Sequence, residues 1–419
     1  MIFQAEDFQE KFRDVLPVLK YRKIVFERGK GSYLYDLNGK RYLDLNSGQF
    51  CGTFGHSDPG IKVLFQEILE TLQDTDTSSI SKPLLNSAAR LREISGGMNA
   101  RSLLLSTGAE ANECALKYAK FLKRRNGVVS FSRGYHGLTH GTAAYSMSRD
   151  KIRPSLELSF ELRTPTSFPQ SVDPDEEEIL NELENILLIN GEDIAAVLME
   201  PIISGGGLLF PSRYFFARVS ELCKESNVYL IFDECQTGVG RTGQWFDFQN
   251  LGVIPDMLVT AKALGAGFPV AALLMNSESI SNEEFEMKYF SSHQNEPFAA
   301  QIVTYVIDRI TKDNLLIRNL QLGEDLRNGL REIELSSDVI QNTRGRGLIM
   351  GFDLSQSNRL SSQEIGDSFV ELCENEGLLL QHCNYGKTIR LLPNYCVSKK
   401  EIEEFLDKLS TVCAKFTHK

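Results

Sequence analysis

The sequence predicts an α/β protein whose larger part is a mostly parallel β-sheet flanked by helices. Apolar runs rich in β-branched and aromatic residues, typical of buried strands, recur at 101–106, 128–131, 195–199, 228–232 and 257–260. Segments with helical spacing alternate with these runs, and a repeated β–α order favours a parallel sheet. We expect the two ends of the chain to form a smaller α+β domain.

The predicted organisation is an N-terminal segment over residues 1–50, a large domain over 51–300 and a C-terminal small domain over 301–419. Residues 1–20 match an amphipathic helix, with Phe8, Phe12 and Val15 on one face. Residues 31–44 match a β-hairpin, because the pair Asn38-Gly39 interrupts a strand-like alternation.

Composition excludes several classes of function. The net charge is −11, and a nucleic-acid partner would require clustered Lys and Arg. The sequence shows no secretory signal and no apolar run long enough for a membrane span. The eight cysteines are scattered without a CxxC pair, which favours a reduced, cytoplasmic protein. His136 and His140 have helical zinc spacing, but a loop surrounds them, and we assign no metal.

Two neighbouring strands deliver an acid and a lysine to the same edge of the predicted sheet. Asp233 directly follows the run 228–232, and Lys262 lies just after the run 257–260. Pyridoxal phosphate needs this pair, because a lysine amine binds its aldehyde and a carboxylate keeps its pyridine nitrogen protonated. Gln236 could hydrogen-bond the hydroxyl oxygen of the ring. Taken singly, Asp233 and Lys262 could also be an ordinary turn acid and a surface lysine.

A phosphate site is indicated where the run 101–106 ends. The turn Thr107-Gly108-Ala109 precedes a helical segment, and the N-terminus of a helix offers free N–H groups and a positive dipole to a phosphate. The alternative is an ordinary strand-to-helix turn. Tyr135, after the run 128–131, could stack on a pyridine ring or simply fill a loop core.

A nicotinamide enzyme is the first competing hypothesis. Residues 238–243, GVGRTG, match the GxGxxG pattern directly after a strand. That motif must open a helix, whereas residues 244–255 lead to a loop that ends in Pro255. No acid ends a second strand at the required distance, because Asp256 precedes its strand. A non-catalytic scaffold is the second alternative, and the presence of Lys262, Asp233 and Gln236 disfavours it.

Residues 233–243, DECQTGVGRTG, followed by Lys262, resemble the signature of the class-III aminotransferases of fold type I. The resemblance implies a seven-stranded-type sheet, pyridoxal 5'-phosphate as cofactor and an internal aldimine at Lys262. It implies transfer of an amino group from an amino acid or amine donor to a 2-oxo acid. It also implies a homodimer with shared active sites.

The resemblance carries roles for further residues. It places the cofactor phosphate at Thr107, Gly108 and Ala109, and Ser292 where a residue reaches the phosphate of the partner subunit. Arg390 matches the family's carboxylate-binding arginine, whose alternative role is a structural salt bridge. The set of cofactor-binding residues is completed by Tyr135, Glu200, Asp233, Cys235 and Gln236.

The choice of substrate depends on Gly205. In ω-amino-acid members such as ornithine and GABA aminotransferases, a Glu at the matching position neutralises the arginine. Its absence favours α-amino acid or other carboxylate substrates. Motifs such as Ser47-Gly48-Gln49-Phe50 are similar to 2,2-dialkylglycine decarboxylase, in which a Gln at the position of Gln49 contacts the carboxylate that is lost. Decarboxylation-dependent transamination is therefore the alternative within the family.

The same likeness raises the question of an alkali cation beside the phosphate site. Oxygen ligands could come from Thr75, Thr77, Ser292, Gln294 and Glu296.

Overall fold

A seven-stranded sheet forms the centre of the chain in this computed structural model, which describes residues 14–16, 18, 20–147, 158–168, 175–278, 289–357 and 359–416. Its strands are β4 (Ala100–Leu105), β5 (Gly127–Phe131), β6 (Ser159–Leu162), β7 (Ile194–Met199), β8 (Tyr229–Asp233), β9 (Met257–Thr260) and β10 (Ala271–Asn276). They lie in the order β4-β10-β9-β8-β7-β5-β6. The five strands predicted from sequence are all present, and each end lies within one residue of the predicted end.

Strand β10 is the exception to the parallel arrangement. It pairs antiparallel with both β4 and β9, whereas the pairs β5–β6, β5–β7, β7–β8 and β8–β9 are parallel. Only residues 261–270 connect β9 to β10. A parallel crossover needs a dozen or more residues, so this short connection reverses the chain. The sequence analysis predicted a mostly parallel sheet but did not identify β10.

Two smaller sheets combine residues from both ends of the chain. The first has the order β1 (Phe26–Lys30), β2 (Tyr33–Asp36), β3 (Arg41–Asp44) and β13 (Leu378–Leu379). Its β2–β3 pair confirms the hairpin predicted at Asn38-Gly39. The second has the order β11 (Ile340–Arg346), β12 (Ile349–Leu354), β15 (Thr388–Leu391) and β14 (Gln381–Cys383).

Strand β13 pairs parallel with β3, so residues near 378 lie beside the N-terminal hairpin. This pairing agrees with a small domain built from both termini, while the boundaries at residues 50 and 300 stay predictions. Phe8 and Phe12 of the predicted first helix lie outside the described residues. Val15 is described and lies in a bend, so its predicted place on a helix face is wrong.

Apart from the short kinked segment Ser47–Phe50, ten α-helices of the described residues surround the sheets. They are α1 (Pro59–Glu70), α2 (Lys82–Ile94), α3 (Gly108–Lys123), α4 (Glu176–Asn190), α5 (Arg213–Glu225), α6 (Phe248–Leu251), α7 (Pro297–Lys312), α8 (Leu315–Ser336), α9 (Ser362–Asn375) and α10 (Lys399–Lys415). Short 3₁₀ turns occur at Gly96–Met98, Ala143–Tyr145, Lys262–Gly265 and Asn384–Gly386. None of these helices is long and apolar enough to cross a membrane.

The central strands are buried on both faces, as their continuous apolar sequences predict. Every residue of β5, β7, β8 and β9 is buried. Helix α3 covers one face with small side chains, which include Ala111, Cys114 and Ala115. The polar residues that follow β7, β8 and β9 therefore emerge together at one edge of a rigid sheet.

Candidate active site

A cavity of about 390 Å³ lies at the carboxyl edge of the central sheet, within the size range of small-molecule sites. Eight of the residues predicted from sequence line it: Gln49, Tyr135, Glu200, Asp233, Cys235, Gln236, Lys262 and Arg390. The other lining residues are Phe50, Leu138, Met147, Gly205, Cys383, Asn384 and Tyr385. The structure therefore brings together side chains that are up to 341 positions apart (49 to 390).

Lys262 extends from a tight turn directly after β9. Its backbone has φ of 47°, a left-handed conformation that a non-glycine residue rarely adopts and that often occurs at functional sites. Its Nζ atom donates a hydrogen bond of 3.4 Å to Oε1 of Gln236. Thr53 donates to the carbonyl of Ala263 at 2.7 Å and so ties this turn to the loop that carries Gln49.

Asp233 is buried and is held by three donors. Its Oδ2 atom accepts from Nδ2 of Asn112 at 2.7 Å and contacts Nδ1 of His136 at 2.9 Å, and its Oδ1 atom accepts from the backbone N–H of Cys235 at 3.0 Å. Burial alone would raise the pKa of Asp233. The hydrogen bond and the charge of His136 outweigh burial, with help from Cys235 and Lys262, and the pKa lies below its usual range. The site thus contains a carboxylate that is ionised at neutral pH.

Glu200 connects two parts of the cavity wall. Its carboxylate accepts hydrogen bonds from the backbone N–H of Tyr135 at 2.8 Å and of Ser204 at 3.2 Å. Burial raises its pKa to about 7, although the charge of His136 and these two hydrogen bonds act in the opposite direction. Glu200 therefore carries a proton for part of the time near neutral pH, in contrast to Asp233.

Arg390 lies on strand β15 and reaches the cavity from the second small sheet. Its Nη1 atom donates to Oγ of Ser204 at 3.2 Å and to Oε1 of Gln236 at 3.4 Å, and its guanidinium lies 4.3 Å from the ring centre of Phe50. Its Nε atom is buried and has no partner among the described residues. Among the described residues no carboxylate forms an ion pair with Arg390, so the structural salt bridge that was its alternative role is absent there.

The loop with Gln49 is held by a buried carboxylate. Asp44 accepts from the backbone N–H of Asn46 at 2.9 Å and of Gly48 at 2.8 Å. These contacts fix a kinked turn, Ser47–Phe50, whose internal dihedral angles depart from helical values. The side chain of Gln49 is exposed, and its Oε1 atom accepts from Gln381 at 3.2 Å.

The predicted phosphate turn caps helix α3. Thr107 is the N-cap residue, and its hydroxyl accepts from the backbone N–H of Glu110 at 3.2 Å. Gly108 lies against the sheet edge, because a Cβ atom at this position would be 2.6 Å from Sγ of Cys235. Ala109 packs on Gly137. None of the three is a lining residue of the cavity, but Gly108 directly adjoins Cys235, which is one.

The residues of this site fit pyridoxal phosphate. The ionised carboxylate of Asp233 suits a protonated pyridine nitrogen, and Nε2 of Gln236 is a buried donor that has no partner among the described residues. The first backbone N–H groups of α3 have no partner within the helix and lie beside Cys235 of the cavity wall. Glycine at 108 allows this close packing, because a Cβ atom there would be 2.6 Å from Sγ of Cys235.

Two of the sequence predictions lie away from the cavity. Ser292 is exposed and does not line it, as expected for a residue whose predicted target is a partner subunit. Of the possible cation ligands, Glu296 contacts the ring of His293, and Oε1 of Gln294 accepts from the backbone N–H of Ser291 at 3.1 Å. No cluster of His, Cys, Asp and Glu suited to a metal occurs among the described residues.

The sequence analysis missed several polar residues of the site. His136 and Asn112 hold Asp233, and Ser204 contacts Arg390. His136 could have been found, because it follows Tyr135 directly. Asn384 and Tyr385 line the cavity with φ of 50° and 55°, and no local sequence signal places them there, because their position depends on how β14 and β15 pack.

The family model of the class-III aminotransferases ("Aminotransferase class-III") matches residues 18–413. An acetylornithine aminotransferase of Archaeoglobus fulgidus is 31% identical, over 94% of this chain and 97% of the relative. An uncharacterized aminotransferase of Schizosaccharomyces pombe is 30% identical, over 93% of this chain and 91% of the relative.

Solved structures agree with these sequence matches. A Bacillus anthracis aminotransferase superposes with a TM-score of 0.89 and 26% identity, covering 98% of this chain and 99% of its own. An acetylornithine aminotransferase of Elizabethkingia anophelis superposes with a TM-score of 0.82 and 25% identity, again over 98% and 99% of the two chains.

Proposed function

The chain belongs to the class-III aminotransferases, which depend on pyridoxal 5'-phosphate, and from this premise we propose the residues that carry the reaction and the class of its amino donor. The enzyme transfers an amino group from a donor to a 2-oxo acid. The observation that carries the assignment of residues is the convergence of Lys262, Asp233 and Arg390 on one cavity, with Gln236 between the lysine and the arginine.

One side of the cavity holds the cofactor. The bound cofactor supplies an aldehyde that takes up the amino group and a pyridinium ring that withdraws electrons. Lys262 would hold the aldehyde through Nζ, and Asp233 would keep the ring nitrogen protonated. Thr107, Gly108 and Ala109 would hold the phosphate at the N-terminus of α3. Tyr135 and Cys235 would contact the ring, and Nε2 of Gln236 would donate to its hydroxyl oxygen.

Lys262 also moves the proton. With cofactor and donor bound, the amine of Lys262 would be free to take a proton from the donor carbon and to give it up again. The hydrogen bond from Nζ to Gln236 keeps the amine in the cavity. Glu200 supports this arrangement, because its hydrogen bond to the backbone N–H of Tyr135 fixes the residue that covers the ring.

The other side of the cavity binds a carboxylate. Arg390 has an unpaired Nε and no carboxylate partner among the described residues, so a substrate carboxylate can form a bidentate pair with it. Gln49 adds an amide donor at the mouth of the cavity. Burial lowers the pKa of Arg390, yet a guanidinium remains charged, and an anion relieves the cost of the buried cation.

Gly205 indicates the class of donor. It lines the cavity, and it stands where ω-amino-acid members of the family carry the Glu that neutralises the arginine. Without that acid, Arg390 stays available, which favours a donor with a carboxylate beside the reacting amine. Several relatives are named acetylornithine aminotransferases, so acetylornithine is the second candidate donor. The named relatives are transaminases and give no support to decarboxylation.

We also propose a cytoplasmic homodimer in which Ser292 reaches the partner's phosphate site. Ser292 is exposed and outside its own cavity, as this role requires. All eight cysteines are free thiols, in agreement with a reducing compartment. Sedimentation at several concentrations tests the dimer, and a monomer with full activity would contradict shared sites.

The experiment measures amino transfer by the cofactor-loaded protein from L-alanine, ornithine, GABA or acetylornithine to 2-oxoglutarate. We expect alanine to exceed ornithine and GABA, and a Lys262→Ala variant to lose about 10⁴-fold in rate, the upper range for a proton-transferring group. Exposed Lys387 provides the control Lys387→Ala, which should retain activity. Faster transfer from ornithine, GABA or acetylornithine than from alanine would contradict the argument from Gly205.

A further inference from the structure

Two arginines share one row of the second small sheet. Arg344 on β11 pairs with Gly351 on β12, and Gly351 pairs with Arg390 on β15. Residues that pair across strands point to the same face, so the two guanidinium groups extend from one face at points roughly 10 Å apart, twice the spacing of adjacent strands. Only Arg390 lines the cavity.

The turn 204–208 crosses this face between the two arginines. At one end, Oγ of Ser204 accepts from Nη1 of Arg390 at 3.2 Å. At the other end, Nε of Arg344 donates to the carbonyl oxygens of Gly207 at 3.2 Å and Leu208 at 3.0 Å. Between its ends the turn lies against Gly351, which has no side chain. A Cβ atom at position 351 would be 2.3 Å from Cδ1 of Leu208.

Hydrogen bonds within the turn link the residues that contact Arg344 to Ser204, which contacts Arg390. The carbonyl of Ser204 accepts from the backbone N–H groups of Gly207 at 3.4 Å and Leu208 at 3.3 Å. The residues that Arg344 holds are therefore those that close the turn on Ser204. Ser204 is completely buried, so its hydroxyl has no solvent to replace the contact with Arg390.

Arg344 is itself fixed by a buried network. It is 4% exposed, and its Nη2 atom donates to Oδ1 of Asp353 at 2.8 Å. Thr388, which precedes Arg390 by two positions on β15, donates to the same Oδ1 at 2.7 Å and accepts from Arg344 at 3.4 Å. The ion pair is thus joined both to the turn 204–208 and to the strand of Arg390.

We propose that Arg344 is a positioning residue for the carboxylate site, holding the turn 204–208 so that Ser204 orients the guanidinium of Arg390. The inference deepens, and depends on, the proposed role of Arg390. A lysine at position 344 would keep the positive charge next to Asp353. It could not donate to two carbonyls and a carboxylate at the same time, because an ammonium group lacks the planar array of donors that a guanidinium has. The turn would then shift, and Arg390 would lose its alignment.

The test uses holoenzyme loaded with pyridoxamine 5'-phosphate and a matched pair of acceptors, pyruvate and acetaldehyde. The two differ only in the carboxylate, so the ratio of their single-turnover rate constants, followed by cofactor absorbance, reports carboxylate recognition. We expect Arg344→Lys to lower this ratio by about tenfold, because small displacements of a binding group cost one to two orders of magnitude. The rate with acetaldehyde should stay close to that of the wild type.

Five further variants, including Ser204→Ala alone, make the result decisive. Arg390→Lys should lower the ratio at least as much as Arg344→Lys, and Ser204→Ala combined with Arg344→Lys should lower it no further than either alone. Thr388→Val, which keeps the ion pair, should give a smaller decrease and provides a second test if Arg344→Lys does not fold. Arg318→Lys is the matched control, because Arg318 also donates to two backbone carbonyls, those of Tyr395 and Val397, without lining the cavity.

The outcomes separate the two proposals. If Arg390→Lys lowers the ratio while Arg344→Lys and Thr388→Val leave it unchanged, the positioning role is wrong and the role of Arg390 stands. Equal losses with pyruvate and acetaldehyde in Arg344→Lys would indicate a purely structural role and also overturn the inference. If Arg390→Lys leaves the ratio unchanged, the proposed carboxylate site itself is wrong.

Discussion

The two sides of the cavity differ in how completely their charges are satisfied. Asp233 already has three donors, Asn112, His136 and the backbone of Cys235, which leaves about one of its roughly four acceptor positions for the cofactor. Arg390 has only neutral acceptors among the described residues and leaves its buried Nε unpaired. A side that holds one permanent group can be fixed in advance, whereas a side that exchanges substrates must leave hydrogen-bonding capacity unused. This difference is what we expect for a bound cofactor opposite a substrate that enters and leaves.

The largest effect on this comparison is expected when the charge of Asp233 is removed. Asp233→Asn keeps the shape and leaves an oxygen for Asn112, but it cannot stabilise a protonated ring nitrogen. We expect the rate of amino transfer to fall by about 10²- to 10³-fold, the range for loss of one electrostatic stabiliser. The measurement is single-turnover conversion of the bound cofactor at saturating donor.

The neighbouring acid provides the control for that variant. Glu234 is buried outside the cavity lining, where burial and then the charge of Asp247 raise its pKa. Because this acid does not line the cavity, Glu234→Gln should leave the rate nearly unchanged. If Asp233→Asn and Glu234→Gln lose activity equally, the effect belongs to this stretch of sheet and not to the charge of Asp233.

Glu200 sharpens the comparison, because it is a buried carboxylate without a cationic hydrogen-bond partner. Its pKa rises from an ordinary 4.5 to about 7, so the folded state binds its proton more tightly than the unfolded state does. Its contribution to stability is complete below pH 4.5 and is lost as the pH rises through 7. Between pH 4.5 and 8 the loss is about 3 kcal/mol, from 1.36 kcal/mol per pKa unit.

The measurement is urea unfolding of the cofactor-free wild type and Glu200→Gln across pH 5 to 8. The free energy of unfolding of the wild type should fall relative to that of the variant as the pH rises, because the amide introduced by the substitution does not titrate. Exposed Glu67 provides the control Glu67→Gln, which should follow the wild type at every pH. Parallel curves for the wild type and Glu200→Gln would contradict the raised pKa.

The cofactor side and the carboxylate side of the cavity also differ in how far the sequence predicts them. Asp233 and Lys262 were predictable from local pattern, because each directly follows an apolar run whose neighbours are parallel strands. Arg390 was assigned only by family resemblance, since β15 belongs to an antiparallel sheet whose register depends on distant residues. Ser204 and Arg344 gave no signal at all, because their contacts exist only when the turn 204–208 lies across Gly351.

The smallest expected effect concerns the packing of the cofactor side. In Gly108→Ala the new Cβ atom would lie 2.6 Å from Sγ of Cys235, and the next atoms, on Ala261 and Cys235, would be at ordinary contact distances of 3.5 and 3.6 Å. Because Cys235 lines the cavity, its Sγ must either move into the space for the cofactor or displace the N-terminus of α3, and we expect cofactor affinity, measured by titration, to fall by about tenfold. Cys235→Ala removes the obstructing atom, so affinity should return in the double variant, with Cys235→Ala alone as the control. Unchanged affinity in Gly108→Ala, or no recovery in the double variant, would show that the phosphate turn is not held tightly against the sheet edge.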